Sequence, residues 1–118
     1  MPAMDEDQSM PVPASFLALY SGPRMRVVPG EGVRIARRHE FCEDLAAACV
    51  ETARAMLHDL GITEADVLER VHGGLLQPDA GVTPAEAGWV ARRLAEMLGW
   101  PWPATLARHE DPPPGSHP

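Results

Sequence analysis

The sequence contains no lysine. Its ten basic residues are all arginine and face seventeen acidic residues, so the net charge is -7. Without an ε-amine, the chain cannot build the G-x-x-x-x-G-K-[ST] phosphate loop, form a Schiff base or use a lysine as general base. The acidic balance also argues against a protein that coats a nucleic-acid backbone, and we expect no nucleic-acid partner.

Long apolar runs and catalytic serine motifs are missing as well. No stretch approaches transmembrane length, and the opening MPAMDEDQSM is acidic where a signal peptide is basic and then apolar. We therefore expect a cytoplasmic chain with no membrane partner and with two reduced cysteines. No serine lies in a G-x-S-x-G motif. The sequence thus favours a non-enzymatic protein and gives no support for an enzyme.

The apolar residues predict a thin, helical core, since many are alanine and only six of the 118 residues are aromatic. Capping signals predict an all-α class with a bundle of three main helices, over about residues 32–60, 63–73 and 84–98. The expected helix ends are Gly61, Gly73-Gly74 and Gly99. The clearest start is Thr83-Pro84-Ala85-Glu86, which combines a capping threonine, a first-turn proline and a glutamate at the third helical position.

The predicted domain covers residues 13–103. Residues 1–12 and 104–118 are polar and proline-containing, and we expect both tails to be disordered. Residues 15–20, SFLALY, are too apolar to stay in solvent. They are expected to pack on the helices as a short helix or an extended segment.

The stretch RRHEFCEDLAAAC, residues 37–49, raises the question of a metal or redox site. At about 100° per residue, an apolar stripe separates from the carboxylates of the same helix. Its expected buried members are Phe41, Cys42, Leu45, Cys49, Thr52, Ala53, Met56 and Leu60. Only His39 and Cys42 could share a metal, and no further ligand lies near them. We expect free core cysteines, a histidine at the rim of the core, and no metal or other cofactor.

A basic segment leaves one alternative open. Five arginines stand against one glutamate between residues 24 and 38: Arg24, Arg26, Arg34, Arg37 and Arg38. Together with His39 and Cys42, this segment defines a competing hypothesis, a small ligand- or metal-binding protein.

In the third predicted helix, a tryptophan lies outside the apolar stripe. Ala87, Val90, Leu94, Met97 and Leu98 form its inward stripe, whereas Trp89 falls among Glu86, Arg92, Arg93 and Glu96 on the face expected to meet water. Two explanations compete. Residues 16–20 or the Trp100-Pro101-Trp102-Pro103 turn could cover Trp89, with Arg92 or Arg93 stacked on its ring. Alternatively, Trp89 anchors another protein, because tryptophan and arginine are enriched at binding hot spots.

Four stretches carry a family resemblance: PASFLALY, RRHEFCEDLA, LGITEADVLERVHGGL and GVTPAEAGWVARRLAEMLGWPWP. Over about residues 12–103 they resemble a group of short uncharacterised proteins from GC-rich proteobacteria, Burkholderia relatives among them. Some members carry the label "ATPase with chaperone activity". This chain has no phosphate loop and no lysine, so the resemblance implies association with a chaperone ATPase rather than nucleotide hydrolysis.

The resulting prediction is an interaction or accessory protein without catalytic residues, monomeric or weakly dimeric, with a protein partner that the sequence does not identify. The predicted docking surface comprises Trp89, Arg92, Arg93, Trp100 and Trp102.

Overall fold

The computed structural model describes residues 11–20 and 31–110, with side chains up to residue 107. Every regular element in these ranges is helical. In chain order they are α1 (Ala14–Leu17), a 3₁₀ turn (Ala18–Tyr20), α2 (Glu31–Leu60), α3 (Glu64–Leu75), a second 3₁₀ turn (Pro78–Ala80), α4 (Pro84–Leu98) and α5 (Ala104–Glu110). The all-α prediction is confirmed.

Local capping chemistry starts α3 and α4. The Thr63 hydroxyl accepts a hydrogen bond from the Asp66 amide at 3.0 Å, and the Asp66 carboxylate accepts one from the Thr63 amide at 3.3 Å. Thr83 and Glu86 repeat this reciprocal pair at 3.1 and 2.9 Å, with Pro84 at the first helical position. Each pair satisfies two amides that the helix itself cannot bond.

The predicted helix ends are right at two places and wrong at one. Gly61 and Gly99 adopt φ values of 64° and 74°, the left-handed conformation that suits glycine after a helix. Gly73 and Gly74, in contrast, do not end α3, which continues to Leu75. Leu75 is only 6% exposed. Its burial in the core outweighs the low helix propensity of the two glycines.

The core lies where α2, α3 and α4 pack against one another, and Phe16 of α1 is fully buried in it. The buried line of α2 consists of Ile35, His39, Cys42, Ala46 and Ala53. The predicted stripe was therefore rotated. Phe41 and Leu60 are exposed, by 41% and 54%, and Thr52 is exposed too, whereas Cys42 is buried and Cys49 half-buried. Two small side chains of α2, Ala46 and Ala53, are fully buried, whereas the large Phe41 ring lies at the edge, 4.9 Å from the Arg38 guanidinium.

The prediction of a disordered C-terminal tail is wrong for residues 104–110. They form α5, whose first bonds run from the amides of Leu106 and Ala107 to the Pro103 carbonyl at 3.1 and 3.0 Å. Leu106 is 5% exposed, and the Thr105 hydroxyl donates to Glu69 of α3 at 2.5 Å. Packing on α3 thus explains a helix where composition predicted a tail. Most of the two predicted tails, together with Arg24 and Arg26, lies outside the described residues.

In the part of the chain that the structure describes, no helix is both long and apolar enough to cross a bilayer.

Candidate functional site

A buried carboxylate holds together the elements that form the site. Glu86 of α4 is 1% exposed, although its helix face was predicted to meet water. Arg38 of α2 donates to it from Nη2 at 2.7 Å and from Nε at 3.0 Å. The Tyr20 hydroxyl and the Thr83 amide also donate to it. Four donors from three parts of the chain therefore converge on one side chain.

The Glu86 carboxyl is ionised in this setting. Burial by itself raises its pKa, but the hydrogen bonds from Arg38 and Tyr20 outweigh that effect, and the pKa falls to about 2. The sequence contains a pattern that indicates the burial of Glu86. Glu86 lies four residues before Val90 and eight before Leu94, at the spacing of the inward stripe.

Four aromatic rings fix the N-terminal segment to α2 and α4. The Phe16 ring lies 5.0 Å from Trp89, 5.3 Å from His39 and 5.4 Å from Tyr20, between centroids. The His39 and Trp89 rings meet edge to face at 5.5 Å. The indole Nε1 of Trp89 donates to the Ser15 hydroxyl at 3.0 Å. One side of Trp89 is therefore covered by the N-terminal segment, as one of the two explanations predicted, but the residue as a whole is only half-buried.

The two arginines of the predicted surface have different roles. The Arg92 guanidinium lies 5.5 Å from the centre of the Trp102 ring. Arg93 donates to Glu43 of α2 at 2.9 Å from Nε and 2.9 Å from Nη2, and to Glu96 at 3.1 Å. Arg93 therefore acts mainly as a bridge between α4 and α2.

Two hollows meet at Trp89 and Arg92. Both are lined by Ser15, Trp89, Arg92 and Glu96. The first, about 410 Å³, is completed by Pro11, Pro13, His39, Glu43 and Arg93. The second, about 730 Å³, is completed by Leu19, His72, Pro84, Ala85, Gly88, Trp102 and Leu106. We call the two hollows together the Trp89 groove. Trp100 lies outside this set, because it packs against the core and its amide donates to the Ala95 carbonyl at 2.9 Å.

Each hollow has one buried polar atom without a partner. His39 Nδ1 in the first hollow and Trp102 Nε1 in the second have no hydrogen-bond partner among the atoms described. His39 is 3% exposed, so the prediction of a histidine at the rim was wrong. Burial lowers the pKa of its imidazole, while Glu43 and Glu40 act in the opposite direction. The ring is therefore held neutral.

No protein-family model matches the chain. No curated protein and no solved structure is significantly similar to it.

Two arginines of the ligand- or metal-binding alternative form ion pairs within the chain. Arg34 pairs with Glu31 at 2.9 Å, and Arg38 with Glu86. Burial raises the pKa of the Cys42 thiol to about 12, and the Glu86 carboxylate adds to the shift. Within the two described ranges, no three histidine, cysteine or acidic side chains are grouped to hold a metal ion.

Proposed function

We propose that the chain is a non-enzymatic interaction or accessory protein that docks a protein partner in the Trp89 groove. The meeting of the two hollows at Trp89 and Arg92 is the observation that carries this proposal. Tryptophan and arginine are the side chains most enriched at binding hot spots, and hot spots lie in concave, well-packed places. A half-buried Trp102 with Arg92 over its ring extends the same chemistry into the second hollow.

Two polar side chains of the groove, Ser15 and Glu43, favour binding over catalysis. The Ser15 hydroxyl accepts a hydrogen bond from the Trp89 indole. The Glu43 carboxylate accepts hydrogen bonds from Nε and Nη2 of Arg93. Both side chains therefore already form hydrogen bonds that stabilise the walls of the groove. A nucleophile or general base needs a free partner within hydrogen-bond reach of the reacting atom.

The walls of the groove are held in place before any partner arrives. Glu86 links α4 to α2 and to the N-terminal segment, and the Arg93–Glu43 pair adds a second link between α4 and α2. A surface that is already ordered loses less conformational entropy on binding than a flexible one. This arrangement supports a docking role for the groove.

A matched pair of arginine variants tests the proposal. Arg92 is exposed and lines both hollows, whereas Arg54 is exposed on α2 and lines neither. Affinity capture from the native cell should recover the same partner with wild-type and Arg54→Ala baits. The Arg92→Ala bait should recover about tenfold less of it, the loss typical of a hot-spot truncation. Equal recovery by both variants would contradict the proposal.

A small ligand in the first hollow is the second candidate function. His39 favours it, because a buried nitrogen without a partner is satisfied when a ligand supplies one. The hollow's volume, about 410 Å³, also falls in the usual range for small molecules. Thermal unfolding against a panel that includes zinc and nucleotides separates the two functions, since a ligand of the folded state must raise the melting temperature. A rise that is lost in His39→Phe would favour this second function.

A further inference from the structure

We infer that the partner docked in the Trp89 groove is a proline-rich peptide in the polyproline II conformation. This inference rests on the proposed docking function and names its partner chemistry. It is carried by the chain's own prolines in the groove, by the unpaired indole nitrogen of Trp102 in the second hollow and by the balance of charges along the walls.

The chain already places prolines beside Trp89. Pro11 and Pro13 line the first hollow together with the Trp89 ring. Pro13 has φ -70° and ψ 157°, close to the polyproline II values. Within the chain itself, a proline in the polyproline II conformation therefore already lies in the same hollow as the Trp89 ring. Aromatic-lined grooves bind such segments because their conformation is formed before binding.

The second hollow contains one donor without an acceptor. The Trp102 indole nitrogen can only donate, and it has no acceptor in the described structure. A polyproline II backbone makes no internal hydrogen bonds, so all its carbonyls are free to accept. Proline has no amide hydrogen, so the peptide adds no donor that the hollow would have to satisfy. Trp102 Nε1 is buried in the described structure, so the indole has to turn outward before a peptide carbonyl can reach it.

The charges along the groove favour an uncharged partner. The lining contains two arginines, Arg92 and Arg93. It also contains two glutamates, Glu43 and Glu96, so its positive and negative charges are equal in number. The chain as a whole carries -7, which repels an acidic peptide. A basic peptide would find no excess of carboxylates in the groove itself. An extended, uncharged, apolar peptide meets these conditions better than either.

Tryptophan signals give a direct test. A blocked decaproline peptide is titrated into the full chain, and the three indole N–H signals are followed by proton–nitrogen NMR. The expected result is a saturable shift of the Trp89 and Trp102 signals. Trp102→Ala should weaken binding about tenfold, whereas Trp100→Phe, outside both hollows, should leave the affinity within about twofold of the wild type.

Controls decide the interpretation. Circular dichroism checks that each variant is folded. Arg92→Ala serves as a second variant, because it changes the groove and keeps every tryptophan ring. The absence of a saturable shift would overturn the inference. So would equal binding of a Gly-Ser peptide of the same length, or tighter binding of an acidic or a basic one. If decaproline fails while Arg92→Ala still loses the captured partner, only the peptide class is wrong. If both tests fail, the docking function fails with it.

Discussion

Replacing Arg38 by methionine removes the guanidinium that pairs with Glu86 and keeps an unbranched apolar stem. The Glu86 side chain is 2% exposed, so its charge would be left in the protein interior with the hydrogen bonds from Tyr20 and Thr83 alone. Burial would then dominate and raise the pKa of the Glu86 carboxyl. The folded state loses stability at neutral pH, where the unfolded chain ionises this group at no cost.

The magnitude follows from how deeply each partner is buried. Removing one member of a buried ion pair typically costs about 3–5 kcal/mol. The Arg38 side chain is 30% exposed, and two other donors remain on Glu86, so we expect the lower end, about 3 kcal/mol. Arg54 provides a control on the same helix. It pairs with Glu51, but the two side chains are 57% and 85% exposed. Arg54→Met should therefore cost no more than about 0.5 kcal/mol.

Urea unfolding followed by circular dichroism measures both variants, and the linear extrapolation gives the free energy of unfolding. Adding Glu86→Gln to Arg38→Met removes the unpaired charge and should restore part of the lost stability. The coupling between the two substitutions should exceed about 1 kcal/mol, as expected for residues in direct contact. If Arg38→Met and Arg54→Met destabilise the protein equally, Glu86 is not the buried link between α2 and α4.

Three further predictions concern single residues. Because burial lowers the pKa of His39, its contribution to stability is complete above the unfolded pKa of about 6.5 and is lost as the pH falls below that value. His39→Phe should abolish the loss between pH 7 and 5, measured by urea unfolding. It should leave the loss between about pH 5 and 2, which belongs to Glu86. Gly74→Ala should stabilise α3 by about 0.5–1 kcal/mol, since no atom lies within 4 Å of the added methyl group. Gly99→Ala should destabilise the protein by about 1 kcal/mol, because Gly99 has a φ of 74°. Thermal unfolding checks the sign of both changes. Cys42, fully buried and with a raised pKa, should react with a thiol reagent only after denaturation, and rapid labelling of this residue in the native state would contradict its position.

Local chemistry explains which parts of the fold were predictable. The starts of α3 and α4 depend on a threonine and an acidic residue three positions later, and the ends at Gly61 and Gly99 depend on one backbone conformation. Such signals lie within a few residues of each other. They can be read without knowledge of the rest of the chain.

Long-range contacts explain most of the errors. Arg38 and Tyr20 bond Glu86 across 48 and 66 positions, and no short-range pattern pairs them. The buried face of α2 is set by its packing against α3 and α4. The helix α5 exists because Leu106 finds a buried place, although the proline-rich sequence around it predicted a tail.

The candidate site was predictable only in part. The unusual position of Trp89 in the helical pattern led to Arg92 and Trp102, and all three line the Trp89 groove. Arg93 lines only the first hollow, with its guanidinium bonded to Glu43, and Trp100 lines neither. Pro13 and Ser15 reach the groove through the packing of Phe16 and Tyr20, which is a property of the folded chain and not of any single segment.

Photo-crosslinking in the native cell tests the docking claim most directly. Ala85 is exposed and lines the second hollow, while Ala48 is exposed on α2 and lines neither hollow, so the two alanines make a matched pair for a photoreactive side chain. The account predicts a covalent adduct with a partner protein from position 85 and none from position 48. Adducts of equal yield from both positions, or none from position 85, would contradict it.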